Sequence, residues 1–380
     1  MSERDPLTAR VASELSSRDA AAFVHAGSTR DPAVRYCLQT IDSSDGTPTT
    51  STFDTTHAVA FDGSRWHHVS RRGVAADWPR HPADELAARL ADDGVSGTVL
   101  TPATIPHDGA LYLERAGFSL ASSDVLSRAR RSKTDDERAR IERAQQAGGT
   151  GKKRAAAMLA EATTGDNETL VLGGEKLTSE RLRIAVDESI AAEGALPGGH
   201  TRVTATANDV PTTNSAPATS DGVLRAGEPI VVAAAPRGPE GYHGGLVRTF
   251  VVDGDGGDSR RAHVALTQAF RSVRSMLTDA THSITAVEAD LEAEIRAYGF
   301  GDGDDIETRV TGVGLEPREA PAAADADVGP ETVVRIEAAV RVGGERSVRL
   351  ADLLAPGQPA QWLEAPSRSL DPAAYADTER

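Results

Sequence analysis

IVVAAAPRGPEGYHGGLVRTFVVDG, residues 230–254, decides how the rest of the chain is read. Two apolar, β-branched runs flank RGPEG, a cluster of turn residues. Apolar runs separated by Gly and Pro predict a long antiparallel hairpin. Its second arm carries Gly241-Tyr242-His243 and closes on Arg248-Thr249-Phe250, just before an acidic glycine loop.

Downstream, Leu266, Phe270, Val273 and Leu277 fit one helical stripe, and Val287, Leu291, Ile295 and Tyr298 fit another. Three further segments follow: RVTGVGLEPREAP (309–321), VVRIEAAV (333–340) and SVRLADLLA (347–355). Upstream, TSERLRIAVDESIAAEG (178–194) predicts a helix with Leu182, Val186 and Ile190 on one face. HTRVTATAND (200–209) alternates like a strand, and 211–221 is a polar loop. In ARRSKTDDERARIERAQQA (129–147), Thr134 and Glu137 form a capping box with Asp135 and Asp136 in the positive first turn.

The first 125 residues predict an α/β unit. AAFVHA (21–26), AVRYCL (33–38), HAVAF (57–61) and GTVLT (97–101) read as strands. Leu86 and Leu90 mark a helix closed by Gly94, and Leu111, Tyr112 and Ala116 mark another.

Formal net charge is -16, with Asp+Glu 57 against Lys+Arg 41 and aromatics at 4%. Lysine occurs only at 133, 152, 153 and 176, so arginine supplies most of the positive charge. This composition is similar to that of haloarchaeal cytoplasmic proteins; an acidic protein from a GC-rich bacterium is the alternative. Such a surface argues against nucleic acid, because phosphate binding needs a basic patch. No stretch approaches the roughly 18 apolar residues of a membrane span, and MSERDPLTARVASEL has no apolar h-region of a signal peptide. A cytoplasmic location is the expectation. Cys37 lies in an apolar run and reads as a buried structural thiol.

The hairpin and the three later segments together resemble the pita-bread metallopeptidases: Xaa-Pro aminopeptidases and dipeptidases, creatinase and methionine aminopeptidase. The resemblance covers about residues 126–365. It implies a creatinase-like α/β N-terminal domain, residues 1–125, followed by an α+β pita-bread domain, residues 126–380. It also implies a homodimer and a peptide or small-molecule ligand. In such a fold two divalent ions sit about 4 Å apart and activate a bridging water. Two aspartates, a histidine and two glutamates hold them.

Carried over segment by segment, those ligands fall on Ala233, Gly245, Thr311, Glu337 and Ala351. Only Glu337 is a carboxylate, and one carboxylate cannot hold two dications. The expectation is therefore that no metal is bound and no residue is catalytic. The protein would be a degenerate homologue retained for binding or regulation. The alternative is an active Xaa-Pro peptidase with an altered metal site, for which Asp209, Glu240, Asp253 and Asp352 are the shifted candidates. The family's catalytic histidine has no counterpart, and Thr212 or Thr213 stands near its place. Tyr242, His243, Arg248, Arg318 and Arg349 are the expected cleft neighbours. Arg349, on the adjacent predicted strand, is the expected partner of Glu337.

Other patterns have plainer readings. GGTGKKR (148–154) lacks the first Gly and the final Ser/Thr of a phosphate loop, since Gln146 and Lys153 stand there. A helix break is expected instead. DGDGGD (253–258) and GDGDD (301–305) lack the calcium-loop spacing and read as acidic turns. Trp66-His67-His68 reads as strand with one buried ring.

Overall fold

The computed structural model describes residues 6–45, 55–72, 81–205, 222–301, 305–322, 326–344, 346–364 and 367–378. The chain forms two compact units, Met1–Ser132 and Lys133–Arg380.

In the first unit, strands β1 (Ala22–Ser28), β2 (Thr55–Phe61), β3 (Trp66–Arg72), β4 (Thr98–Thr101) and β5 (Ser119–Ser122) make a sheet of order β3-β2-β1-β4-β5. The β1–β2 and β2–β3 pairs are antiparallel, and β1–β4 and β4–β5 are parallel. Helices α1 (Pro6–Ser17), α2 (Pro32–Asp45), α3 (Pro82–Asp92), α4 (His107–Arg115) and α5 (Val125–Arg131) complete it. Val24, Ala58, Leu86, Leu90, Val99 and Leu113 form its core. Helix α5 belongs to this unit, and so the division falls after Ser132 rather than near residue 126. It buries Val125, Leu126 and Ala129, and Arg128 pairs with Glu14 of α1.

AVRYCL is helical, not the expected strand. Asp31 and Pro32 start the helix: the Asp31 carboxylate accepts from the Ala33 amide at 2.8 Å, and Pro suits the first helical position. Val34, Cys37 and Leu38 then face inward at helical spacing. Cys37 is fully buried, which pushes its thiol pKa far up and makes it inert. His57 and His68 stack across β2 and β3, 2.9 Å apart between Nδ1 and Nε2. His67 pairs with Asp62, and the Trp66 indole donates to Thr8 Oγ1.

The second unit is built on one mixed-length antiparallel sheet. Its strands are β6 (Arg202–Thr204), β7 (Ile230–Ala234), β8 (Leu246–Phe250), β9 (Ile306–Gly312), β10 (Val334–Arg341), β11 (Ser347–Ala355) and β12 (Gln361–Trp362). The order is β9-β10-β11-β8-β7-β6, with β12 paired to β11. The hairpin 230–254 supplies the paired strands β7 and β8. Helices α6 (Asp135–Glu161), α7 (Ser179–Ala192), α8 (Gly257–Asp279) and α9 (Ile284–Arg296) cover one face.

Strand alternation decides what meets those helices. Ile230, Val232, Ala234 and Phe250 pack with α6 and α7, while Ile336, Ala338, Val348 and Leu350 pack with α8 and α9. The intervening residues turn to the opposite face, where Val231, Ala233, Val247 and Ala351 form a small apolar strip.

Helix α6 begins at the expected capping box: Thr134 Oγ1 accepts from the Glu137 amide, and Glu137 Oε2 accepts from the Thr134 amide at 2.8 Å. Contrary to expectation, the helix runs unbroken through GGTGKKR. The glycines there serve close packing. A Cβ on Gly151 would meet Val186 Cγ1 at 3.0 Å, and one on Gly148 would meet Pro236 Cγ at 3.4 Å. Likewise a Cβ on Gly244 would meet the Ala144 carbonyl at 2.8 Å, so the hairpin loop lies flush against α6. DGDGGD is a turn into α8: Asp253 has φ 50° and accepts from Thr164 Oγ1 at 2.8 Å.

Candidate ligand-binding cleft

Register across the sheet places the five carried-over positions on one face. Arg202, Ala233, Val247, Ala351, Glu337 and Arg309 are direct neighbours along one line across the six strands. Thr311, Arg335 and Leu353 form the next line, toward which Gly245, two residues before Val247, also projects. Glu307, Ala339 and Arg349 form the line on the other side. Directly paired residues, and residues two apart on a strand, point to the same side. Ala233, Gly245, Thr311, Glu337 and Ala351 therefore come together on the face away from the helices.

This face floors a cavity of about 890 Å³. Five arginines line it, Arg202, Arg309, Arg318, Arg335 and Arg349, against three glutamates, Glu307, Glu316 and Glu337. Two more arginines than glutamates in one cleft is the reverse of the whole chain's balance.

Glu337 is held by two of them. Arg318 Nη2 donates to Glu337 Oε2 at 2.8 Å, and Arg335 Nη2 lies 3.2 Å from the same oxygen. Burial pushes the Glu337 carboxyl up, yet Arg335, Arg318 and Arg349 outweigh it and hold its pKa below the usual carboxylate range. Arg349, the partner expected from sequence, is not the main one. It sits opposite Ala339, and its Nη2 pairs with Glu307 at 2.7 Å, leaving Nη1 4.0 Å from Glu337.

Arg335 takes the space beside Gly245. A Cβ on Gly245 would meet Arg335 Cδ at 3.2 Å and Leu353 Cδ2 at 3.3 Å. The Gly245 amide meanwhile donates to Gln145 Oε1 at 2.8 Å. The volume next to the second hairpin position is thus filled by the stem of a guanidinium. Arg335, Arg309, Arg202 and His200 were not expected in the cleft. The signal for Arg335 was in VRIE, where Arg and Glu two apart on a strand must share a face.

Three expected neighbours lie elsewhere. Arg248 alternates onto the helix side, fully buried, where its Nη2 pairs with Asp352 Oδ1 at 2.7 Å. Tyr242 donates to Glu137 Oε1 at 2.9 Å and ties the hairpin to the start of α6. His243 is buried under the loop, edge-on to His200 with ring centroids 5.9 Å apart. The shifted candidates are also engaged away from the cleft: Glu240 with Arg143, Asp253 with Thr164, and Asp352 with Arg248 and Arg368. Asp209, Thr212 and Thr213 lie outside the described residues.

Comparison with known proteins bears on this geometry. The pattern of metallopeptidase family M24 matches residues 139–355. The chain belongs to that family. The fold is also that of solved Xaa-Pro peptidases. The prolidase from Pyrococcus horikoshii OT3 superimposes with TM-score 0.72 at 16% identity, covering 96% of this chain and 100% of that one. The Xaa-Pro dipeptidase from Bacillus anthracis gives 0.75 at 15%, covering 96% and 98%. The X-Pro aminopeptidase from Thermotoga maritima MSB8 gives 0.71 at 15%, covering 93% and 98%. No curated protein matches the chain.

Membership in M24 corrects one expectation. A protein without a metal cofactor was expected, whereas M24 is a family of metallopeptidases. The donor set in this cleft is a separate matter, and it does not fit a metal pair. Ala233, Gly245 and Ala351 offer no side-chain donor. Thr311 is buried, and the one carboxylate among the five carried-over positions, Glu337, already faces the positive charge of Arg318 and Arg335. Among the described residues no group of three or more His, Cys, Asp or Glu could hold an ion. No described helix is long and apolar enough to cross a membrane.

Proposed function

We propose that this M24 member has kept the Xaa-Pro peptidase cleft and given up peptide hydrolysis, and that it serves as a binding or regulatory protein. The observation that carries the reading is the pairing of Glu337 with Arg318 and Arg335 on a face where Ala233, Gly245 and Ala351 supply no ligand atom. A carboxylate neutralised by guanidinium groups is a poor ligand for a cation, and a dication beside two arginines would be repelled. Steady-state hydrolysis of Ala-Pro and Gly-Pro, with manganese, cobalt or zinc supplied, tests it. Proline release at the rate of a buffer blank is expected. Release that is saturable in dipeptide and proportional to protein would support the rival reading, a working peptidase with an altered metal site.

The same proposal includes a cytoplasmic homodimer adapted to high salt. At a formal charge of -16 the surface repels itself once screening weakens, the Debye length being about 10 Å at 0.1 M salt and about 3 Å at 1 M. The melting temperature should fall when protein is moved from molar salt to dilute buffer, and an unchanged value would refute salt adaptation. Light scattering should give twice the chain mass, and a single-chain mass would remove the dimer.

A further inference from the structure

The arginines around Glu337 outnumber what they neutralise. Arg309 is exposed and makes no ion pair among the described residues, and Arg202 donates only to the carbonyls of Gly199 and Thr201. Arg335 is the decisive one. Its side chain is 9% exposed, it lines the cavity, and its Nε has no hydrogen-bond partner among the described residues. Arg318 Nε is also buried and unpartnered. A buried N–H left unsatisfied is costly, and the guanidinium groups that carry these two also line the cavity.

The surroundings reinforce this. Burial, with Arg318 and Arg309 close by, depresses the Arg335 pKa even though Glu337 opposes it. His200, on the cavity wall, is also pulled down, by burial and then by Arg202, Arg335 and Arg237. Burial is the main cause of both shifts, and at His200 the charges that add to it are all arginines. The cavity, about 890 Å³, has the size of a small-molecule site. Beside the guanidinium groups runs the apolar strip of Val231, Ala233 and Val247.

We infer that the cleft binds a small organic dianion, a phosphate monoester or a dicarboxylate, with its charged head on Arg309, Arg318 and Arg335 and its body along Val231, Ala233 and Val247. This rests on the reading that the cleft is no longer hydrolytic. Guanidinium groups suit either head, because their planar N–H pairs match phosphate and carboxylate oxygens two at a time. A dianion adds negative charge where the existing glutamates leave a surplus of arginine.

Calorimetric titration of the full chain with inorganic phosphate and with succinate tests the inference, in EDTA and at ionic strength matched with chloride. One site per chain is expected for at least one dianion. Binding to phosphate alone would assign the phosphate class, and binding to succinate alone the dicarboxylate class. Arg309→Ala and Arg318→Ala should each weaken that binding by about tenfold or more. Arg309→Ala removes an exposed side chain, so folding is not at issue for it. Absence of binding with and without added manganese would overturn the inference and leave the proposed function standing. Binding that appears only when manganese is supplied would overturn both. Binding of equal strength in wild type and both variants would place the anion elsewhere and overturn the inference alone.

Discussion

Asp352→Asn is expected to lower the unfolding free energy by about 3–5 kcal/mol, the usual cost of stranding one member of a buried ion pair. Arg248 and Asp352 are both fully buried, and their 2.7 Å contact joins β8 to β11 beneath the helices. Arg248 also donates to the Val247, Ala351 and Ser367 carbonyls, and Arg368 adds a second cation to Asp352 at 2.6 Å. Arg248 and Arg368 each direct one donor at the Asp352 carboxylate. Neutralising it leaves the Arg248 guanidinium in low dielectric with no counter-charge, whereas removing both charges strands neither and leaves only the partly exposed Arg368, which also lies over Phe270 and Trp362. Arg248→Met combined with Asp352→Leu should therefore recover much of the lost stability. Urea unfolding of the single and double variants measures both effects. A loss below about 1 kcal/mol in Asp352→Asn would mean that the pair is hydrated, not buried.

The second large effect has the opposite sign. Lys152 is fully buried within α6, and its Nζ has no hydrogen-bond partner among the described residues. Burial, then the charges of Arg248 and Arg335, hold its pKa well below the ordinary 10.5, against a smaller opposing pull from Asp187. An amine kept neutral in the fold takes up its proton on unfolding. Stability therefore rises with pH between the folded midpoint and about 10.5, by up to about 1.4 kcal/mol per pH unit. It is lost again as pH falls. Lys152→Met keeps the volume and removes the buried amine, so it should stabilise the protein at pH 7 by about 1–3 kcal/mol. It should also flatten the rise of stability between pH 7 and 10. Unfolding curves at pH 7, 8.5 and 10 for both proteins decide it. A less stable Met variant with an unchanged pH profile would show that the ammonium has a partner and is charged in the fold.

How much of this was legible in sequence depends on range. The hairpin at 230–254 could be read because strand alternation and turn chemistry are local, and β7 and β8 pair as expected. The capping box at Thr134 is equally local and forms as written. AVRYCL was misread because its helix is announced outside the run, by Asp31 and Pro32, and six apolar-rich residues satisfy either period. The glycines of GGTGKKR were misread because their cause is tertiary. Only the approach of Val186 and Pro236 explains small residues in mid-helix. That Ala233, Gly245, Thr311 and Ala351 bring no carboxylate or imidazole to this face could be read residue by residue. The arginines that surround Glu337 could not. Arg349 looked adjacent to Glu337, but the register sets it against Ala339 and Glu307. Arg335 became part of the site only once Gly245 was seen to leave it room.

A single-turnover experiment tests the central claim, that this cleft has lost peptide hydrolysis, most directly. With chain in excess over Ala-Pro and manganese supplied, even one slow cleavage per chain registers, independent of product release. Proline release indistinguishable from the blank over hours is expected, for wild type and for Glu337→Gln alike. Stoichiometric proline release by wild type that Glu337→Gln abolishes would contradict it, because it would show Glu337 working as a catalytic carboxylate rather than as the counter-charge of Arg318 and Arg335.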